Sequence, residues 1–126
     1  MSKAKFKEFL RYLRYDDKET RQERRLTDKL AAIREVFDHT AAACRKHYEM
    51  SAFVAVDEML SSFQGKCPFR VYMPSKPAKY GMKIWVVADC VTAYCGYMQA
   101  YLGKVGDTVE REQGARVVKD LSLIHI

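Results

Sequence analysis

Two acids, Asp57 and Glu58, stand between an apolar run and a long basic stretch of the sequence. The apolar run Phe53–Val56 predicts a buried strand that ends on these acids. From residue 59 to residue 88 every charged residue is basic, and these cations are Lys66, Arg70, Lys76, Lys79 and Lys83. A carboxylate at the end of a rigid strand, next to a basic segment, indicates metal-assisted chemistry on a polyanion.

The acids near the predicted strands differ in the roles that their positions allow. Asp57 is the candidate metal ligand, whereas Glu58 points to the other side of the strand and is expected to be structural or a hydrogen-bond partner. Asp89 follows the second predicted strand. If the two strands are antiparallel neighbours, Asp57 and Asp89 lie at opposite edges of the sheet, roughly 17–20 Å apart. That spacing is too long for a shared metal site, and Asp89 is predicted to start a turn.

The five cations are candidate phosphate contacts, which would supply affinity rather than sequence recognition. A solvated basic loop is the alternative, and the sequence leaves it open. Aromatic residues in the same stretch could stack on exposed bases, but in a proline-rich segment packing is the better interpretation for Phe69, Tyr72 and Tyr80. Trp85 lies inside a predicted strand and is assigned to the core.

Length and charge restrict the classes of protein that fit. The 126 residues can form one modest domain or part of a larger protein. A net charge of +6 favours an acidic partner, either nucleic acid or an anionic membrane surface. No long apolar segment suggests a membrane span, and the N-terminus lacks the apolar core of a signal peptide, so we expect an intracellular protein.

The four cysteines, Cys44, Cys67, Cys90 and Cys95, form no pair with the spacing of a zinc motif. A zinc site that combines them with His39 or His47 is the alternative to reduced, unligated thiols. The absence of paired ligand spacing favours the thiols.

Helices are predicted in the first part of the chain. Apolar residues at helical spacing predict a short amphipathic helix over Ala4–Tyr15, whose basic faces either are solvated or contact a nucleic-acid backbone. The segment Tyr15–Leu26 is rich in both signs of charge and is predicted to be an exposed connection, in which helical turns can form. A second helix is predicted from Thr27, which would cap it, with an apolar stripe that reaches Tyr48.

Strands are predicted in the second part. They are Phe53–Asp57, Lys83–Ala88 and Ala93–Leu102, with a short extended piece at Phe69–Met73. The tight connection after Ala88 predicts an antiparallel hairpin. A helix is predicted over Glu110–Leu121, and the apolar tail Ser122–Ile126 has no stop signal, so a truncation is expected there.

Several longer segments of the sequence are distinctive: VDEML, FQGKCPFRVYMPSKPAKYGMKIWVVAD and YLGK, and upstream FLRYLRYDDKETRQER and TDKLAAIREVFD. Together these segments resemble those of piggyBac-type transposases. The resemblance implies an α/β (α+β) fold: a helical segment over residues 1–50, then the first three strands and first helix of a ribonuclease H-like core over residues 51–126, truncated. It further implies three catalytic aspartates and two divalent metal ions, with Asp57 as the first aspartate.

The implied function is that of a fragment of a DNA transposase. In the intact protein the resemblance implies metal-dependent cleavage and strand transfer of DNA, with Mg²⁺ or Mn²⁺, a nuclear location and a possible homodimer; with one aspartate, this chain is expected to be inactive and to bind metal weakly. The alternative is a transposase-derived host protein that acts as a non-catalytic DNA-binding or interaction module. Three positions depart from the family pattern: Met59 replaces a glutamine, and Gln64 and Lys66 replace arginines.

Overall fold

The computed structural model describes residues 1–103 and 112–122, which form four helices and four strands. The helices are α1 (Lys3–Tyr12), α2 (Lys18–Thr27), α3 (Arg34–Lys46) and α4 (Gln113–Ser122), and the strands are β1 (Val54–Ser62), β2 (Arg70–Tyr72), β3 (Tyr80–Asp89) and β4 (Cys95–Ala100). This mixture of helices and an antiparallel sheet confirms the α+β class. The chain divides into two compact units, Met1–His39 and Thr40–Ile126. The predicted domain boundary at residue 50 stays a prediction.

In the first unit, helix α2 occupies the segment that is predicted to be an exposed connection with helical turns. The predicted exposure is confirmed, since no residue of α2 is buried, but the turns form one continuous helix of 10 residues rather than a connection. An Asp17 carboxylate oxygen accepts a hydrogen bond of 2.9 Å from the Glu19 amide and so caps the helix. Glu19 in the first turn and two arginines in the last turn interact favourably with the helix dipole. Because α2 buries none of its residues, it needs no apolar face, and its sequence lacks the apolar periodicity that would predict a helix.

Asp16 organises the start of α2 through two arginines. Its side chain is only 4% exposed and forms ion pairs with Arg21 and Arg24. Hydrogen bonds from Arg21, opposed by desolvation and supported by Arg24, lower the pKa of Asp16 to about 2. Arg24 also donates a hydrogen bond of 2.8 Å to the Ala31 carbonyl oxygen. The cluster therefore connects the helix to the turn that follows it.

Helix α3 begins at Arg34, later than predicted, because residues 28–33 form turns instead. Asp28 starts these turns: its carboxylate accepts a hydrogen bond of 2.9 Å from the Leu30 amide and pairs with Arg34 at 2.8 Å. Thr27 is the last residue of α2 and not a cap for α3. The apolar residues Leu30 and Ala31 are each 2% exposed, so part of the predicted stripe is buried in a turn.

In the second unit, β3 lies in the centre of an antiparallel sheet. β1 pairs with β3 along one side, and β2 and β4 pair with successive parts of β3. The short strand β2 and the β3–β4 hairpin confirm two of the predictions. Strand β1 runs to Ser62 rather than stopping at Asp57, because half-buried Glu58 and Leu60 continue its alternation. Asp57 therefore lies within the strand and not at its end, which corrects the predicted position.

The core lies on one face of this sheet. Trp85, Val87 and Tyr97 pack there with Val117 of α4, and Met50 and Val56 border them. Val117 is fully buried, whereas its neighbour Val118 is 47% exposed. Residues 110 and 111 of the predicted helix lie outside the described residues. Trp85 is 8% exposed, which confirms its assignment to the core.

The close approach of β1 to β3 requires a glycine at one position. A Cβ atom added to Gly81 would lie 2.2 Å from the Ser61 carbonyl oxygen, which is backbone and cannot swing aside. This contact lies near the end of β1, where Ser62 pairs with Gly81. The glycine thus allows the two strands to pair along all nine residues of β1.

Candidate metal-ligand strand and basic loop

Asp57 presents an accessible carboxylate on the sheet face that is opposite the core. It pairs with Val86, whose side chain points away from the face formed by Trp85 and Val87, because side chains alternate along a strand. The Asp57 side chain is 77% exposed. One of its oxygens, Oδ1, accepts a hydrogen bond of 2.8 Å from the Glu58 amide. The other oxygen, Oδ2, remains accessible for an ion or a solvent molecule.

Lys76 is the cation that the structure brings to Asp57. It lies in the connection between β2 and β3, and its ammonium nitrogen is 3.9 Å from Asp57 Oδ2 and 4.0 Å from Glu58 Oε1. The same nitrogen donates a hydrogen bond of 2.9 Å to the backbone oxygen of Glu58. Only 29% of the Lys76 side chain is exposed. The sequence groups Lys76 with the phosphate contacts, but nothing in it predicts this contact with β1.

Lys83 lies on the other face of the sheet, with the core. Its ammonium nitrogen is 4.3 Å from the centre of the Trp85 ring and 5.6 Å from that of the Tyr101 ring. It also donates a hydrogen bond of 2.8 Å to Gln113 Oε1, at the start of α4. These contacts resemble those of a cation that stabilises the fold. A phosphate contact by Lys83 stays a prediction.

The remaining predicted cations are more accessible. Lys66, Arg70 and Lys79 are exposed. The Arg70 guanidinium donates hydrogen bonds of 3.4 and 3.3 Å to the carbonyl oxygens of Gln64 and Gly65, and its carbon lies 5.4 Å from the centre of the Tyr80 ring. Lys79 has a positive φ of 55° at the end of the same connection that carries Lys76. Their contact with phosphate also stays a prediction.

Among the aromatic residues near these cations, Phe69 is buried, whereas Tyr72 and Tyr80 form an exposed pair. Phe69 is 7% exposed, which confirms that it pins its loop. Tyr72 and Tyr80 are 56% and 46% exposed and contact each other, with ring centres 4.8 Å apart. For these two, the prediction that they pack against the core is therefore wrong, because the pairing of β2 with β3 places Tyr72 opposite Tyr80 on an accessible face of the sheet.

Asp89 is a structural carboxylate at the start of the hairpin, as predicted. Its side chain accepts hydrogen bonds from the amides of Ser51 at 2.6 Å, Val91 at 2.7 Å and Thr92 at 3.1 Å, and from the Tyr48 hydroxyl at 3.2 Å. These bonds, the one from the Ser51 amide above all, hold the pKa of Asp89 far below its usual range although the residue is only 1% exposed. The turn spacing at Val91 and Thr92 is visible in the sequence. The distant partners Tyr48 and Ser51 are not.

Asp57 does not belong to a larger cluster of potential metal ligands within the described residues. Among residues 1–103 and 112–122, no group of three or more His, Cys, Asp or Glu side chains could hold a metal ion, so the alternative zinc site is not formed there. The exposed carboxylate of Asp57 is a hard oxygen donor, and it fits a hydrated Mg²⁺ or Mn²⁺ ion that takes its other ligands from water and phosphate. Within the same residues no helix is long and apolar enough to cross a membrane.

Comparison with known proteins relates this geometry to one family. A family model described as "Transposase IS4" matches residues 1–123. The human "PiggyBac transposable element-derived protein 3" and the human "Chimeric ERCC6-PGBD3 protein" are each 26% identical over 87 residues, which is 69% of this chain but 14% and 8% of those proteins.

A solved structure extends the similarity to the whole chain. The cryo-EM structure of a piggyBac transposase synaptic complex with hairpin DNA matches with a TM-score of 0.88 and 38% identity, over 98% of this chain and 26% of that one. The chain thus spans about a quarter or less of the length of each of these relatives. The chain therefore belongs to the transposase family that the model describes, and within it to the piggyBac-like proteins.

Proposed function

We propose that this chain is the part of a piggyBac-like DNA transposase that supplies the first catalytic carboxylate and a share of the DNA-binding surface. The observation that carries the proposal is the position of Asp57, exposed in the middle of a paired strand, in a fold that matches a transposase bound to DNA. In the whole protein the activity would be metal-dependent cleavage and strand transfer of DNA.

Asp57 would hold Mg²⁺ or Mn²⁺ through Oδ2, the oxygen that the Glu58 amide leaves free. A divalent ion bound there would stabilise negative charge on a phosphoryl oxygen or lower the pKa of a bound water molecule. The residues of this chain contribute rigidity and orientation: β3 fixes the backbone of Asp57, and the Glu58 amide fixes the carboxylate. With this single carboxylate, the chain by itself is expected to be inactive.

DNA is the proposed partner, and its phosphates would be contacted by the exposed cations Lys66, Arg70 and Lys79. The net charge of +6 supports such a partner. We further propose a nuclear location for the whole protein, and a homodimer as its state on DNA. Imaging of a fluorescent fusion and sedimentation of the whole protein on DNA test these two proposals.

Two measurements on the chain test the main proposal. Fluorescence anisotropy with a labelled DNA duplex should give binding that weakens steeply with NaCl. Incubation of supercoiled plasmid with Mg²⁺ or Mn²⁺ should give no nicking. Binding that does not depend on salt, or nicking that Asp57→Ala abolishes, would each contradict a part of the proposal.

A non-catalytic DNA-binding or interaction module is the second candidate. The observation that favours it is the lack of a three-acid metal cluster among residues 1–103 and 112–122. A reading frame that continues into two further aspartates at the positions typical of the family would favour the enzyme. Replacement of those aspartates would favour the module.

A further inference from the structure

Lys76 and Asp57 form a pair in which a fixed positive charge faces the proposed metal ligand. The ammonium nitrogen is 3.9 Å from Asp57 Oδ2, whereas the Glu58 amide donates to the other oxygen, Oδ1. We propose that Lys76 is a built-in counter-ion for Asp57 and competes with the divalent cation for this carboxylate. The inference rests on the proposed role of Asp57 as a metal ligand.

The connection that carries Lys76 is ordered by its own hydrogen bonds. The Met73 amide donates to the Lys79 carbonyl oxygen at 2.7 Å, the Lys76 amide to Met73 at 3.1 Å, and the Lys79 amide to Lys76 at 3.0 Å. Pro74 lies two residues before Lys76 and Pro77 follows it directly, and both restrict the backbone further. The backbone that carries the lysine is thus already ordered, and the contact with β1 fixes only the side-chain rotamers in addition.

The ammonium group has partners on β1 besides Asp57. It donates to the Glu58 carbonyl oxygen at 2.9 Å and lies 4.0 Å from Glu58 Oε1. These two oxygens can keep Lys76 bound to the strand after a metal ion takes Asp57 Oδ2. Lys76 therefore does not block the carboxylate permanently, but the incoming ion must bind beside a positive charge that stays on the strand.

The expected size of the competition follows from the exposure of the carboxylate. A divalent ion at Oδ2 would lie a few ångströms from the ammonium group, and like charges repel at that distance. Because Asp57 is 77% exposed, water and salt screen much of this repulsion. We expect Lys76 to weaken the affinity of Asp57 for Mn²⁺ by about three- to tenfold at low ionic strength.

The experiment is a Mn²⁺ titration of the ¹⁵N-labelled chain at low ionic strength, followed by the paramagnetic broadening of the Val56, Asp57 and Glu58 amide signals. The midpoint should fall by about three- to tenfold in Lys76→Met. Lys76→Arg, which keeps the charge, should stay within about twofold of the unsubstituted chain. Lys79→Met, on the same connection, is the matched control and should also stay within about twofold, and Asp57→Asn should abolish the local broadening.

A second measurement needs no substitution and holds even if Lys76→Met fails to fold. Addition of Mg²⁺ to the unsubstituted chain should shift the Lys76 side-chain Nζ and Cε signals in parallel with the Asp57 carboxylate signal. Equal Mn²⁺ midpoints for the unsubstituted chain and Lys76→Met, or unmoved Lys76 signals at saturated Asp57, would overturn the competition alone. If Mn²⁺ broadens the amide signals around Asp57 neither in the unsubstituted chain nor in any of the lysine variants, the proposed role of Asp57 as a metal ligand is overturned as well.

Discussion

Asp57 and Asp89 lie on opposite faces of the sheet, three register positions apart. Asp57 pairs with Val86 and Asp89 with Val54, so the spacing along the strands is roughly 10 Å. The sequence predicts their separation but for the wrong reason, because β1 continues past Asp57 and the two acids are not at opposite edges. One carboxylate is exposed and the other is saturated with donors, so the same residue type serves two unrelated purposes.

Replacement of Asp89 should destabilise the fold strongly. Asp89→Asn keeps the shape of the side chain but turns one acceptor into a donor, which faces amides that also donate. We expect the Tm in circular dichroism to fall by at least about 5 °C. Asp57→Asn is the matched control on the other face, and its Tm should change by less than about 2 °C. Equal effects of the two substitutions would contradict the structural role of Asp89.

The acid cluster at the start of α2 should respond to pH in a defined window. Because the folded pKa of Asp16 is lowered from 3.8 to about 2, its contribution to stability is present above the unfolded value. That contribution should be lost as pH falls from about 4 to about 2, with a matching change in the Arg21 Nε–H signal by NMR. Asp16→Asn should remove this response, whereas Asp17→Asn should keep it, since asparagine also caps helices.

The accessible cations and Lys83 should differ in their effects on DNA binding. Lys79→Ala should reduce the slope of log K against log[NaCl] by about 0.9, as expected for one lost phosphate contact. Lys83→Met should leave this slope nearly unchanged, because the ammonium group is held by Gln113 and two aromatic rings. It should instead lower the Tm and shift the fluorescence of Trp85. A reduced slope in Lys83→Met would favour the sequence-based prediction of a phosphate contact.

Two glycine substitutions should change stability in opposite directions. Gly81→Ala forces a Cβ atom against the Ser61 carbonyl oxygen, and we expect the free energy of unfolding to fall by about 1–3 kcal/mol. At Gly114, in α4, a Cβ atom would meet the Trp85 ring at an ordinary 3.7 Å, so Gly114→Ala should raise stability by about 0.5 kcal/mol. Urea denaturation measures both, and a tolerated Gly81→Ala would argue against the tight β1–β3 register.

The sequence predicts the elements that have strong local signals and misses those set by distant partners. Strand β3 and the hairpin at Asp89 have alternating apolar residues and turn chemistry, and both are found. The full extent of helix α2 is missed because no apolar stripe marks it, and the end of β1 is missed because the acid Asp57 indicates the end of an apolar strand. In both segments charged residues lie inside a regular helix or strand, and composition alone does not predict this.

For the candidate site, the sequence identifies the residues but not their relations. Asp57 and the cations follow from residue type and position. The approach of Lys76 to β1 and the contacts of Lys83 depend on how the β2–β3 connection and α4 pack. Both are determined by residues that are far apart in the sequence. Local patterns carry no information about such contacts.

The length of β1 gives the Asp57 backbone a protected location. Asp57 is the fourth of nine residues that pair with β3, so register pairs lie on both sides of it. Fraying starts at the ends of a strand, and a residue in the middle opens only when much of the ladder opens. The connection that carries Lys76 can thus rearrange, or a ligand can bind and leave, while the carboxylate keeps its position, and the Asp57 amide should be among the slowest to exchange with deuterium.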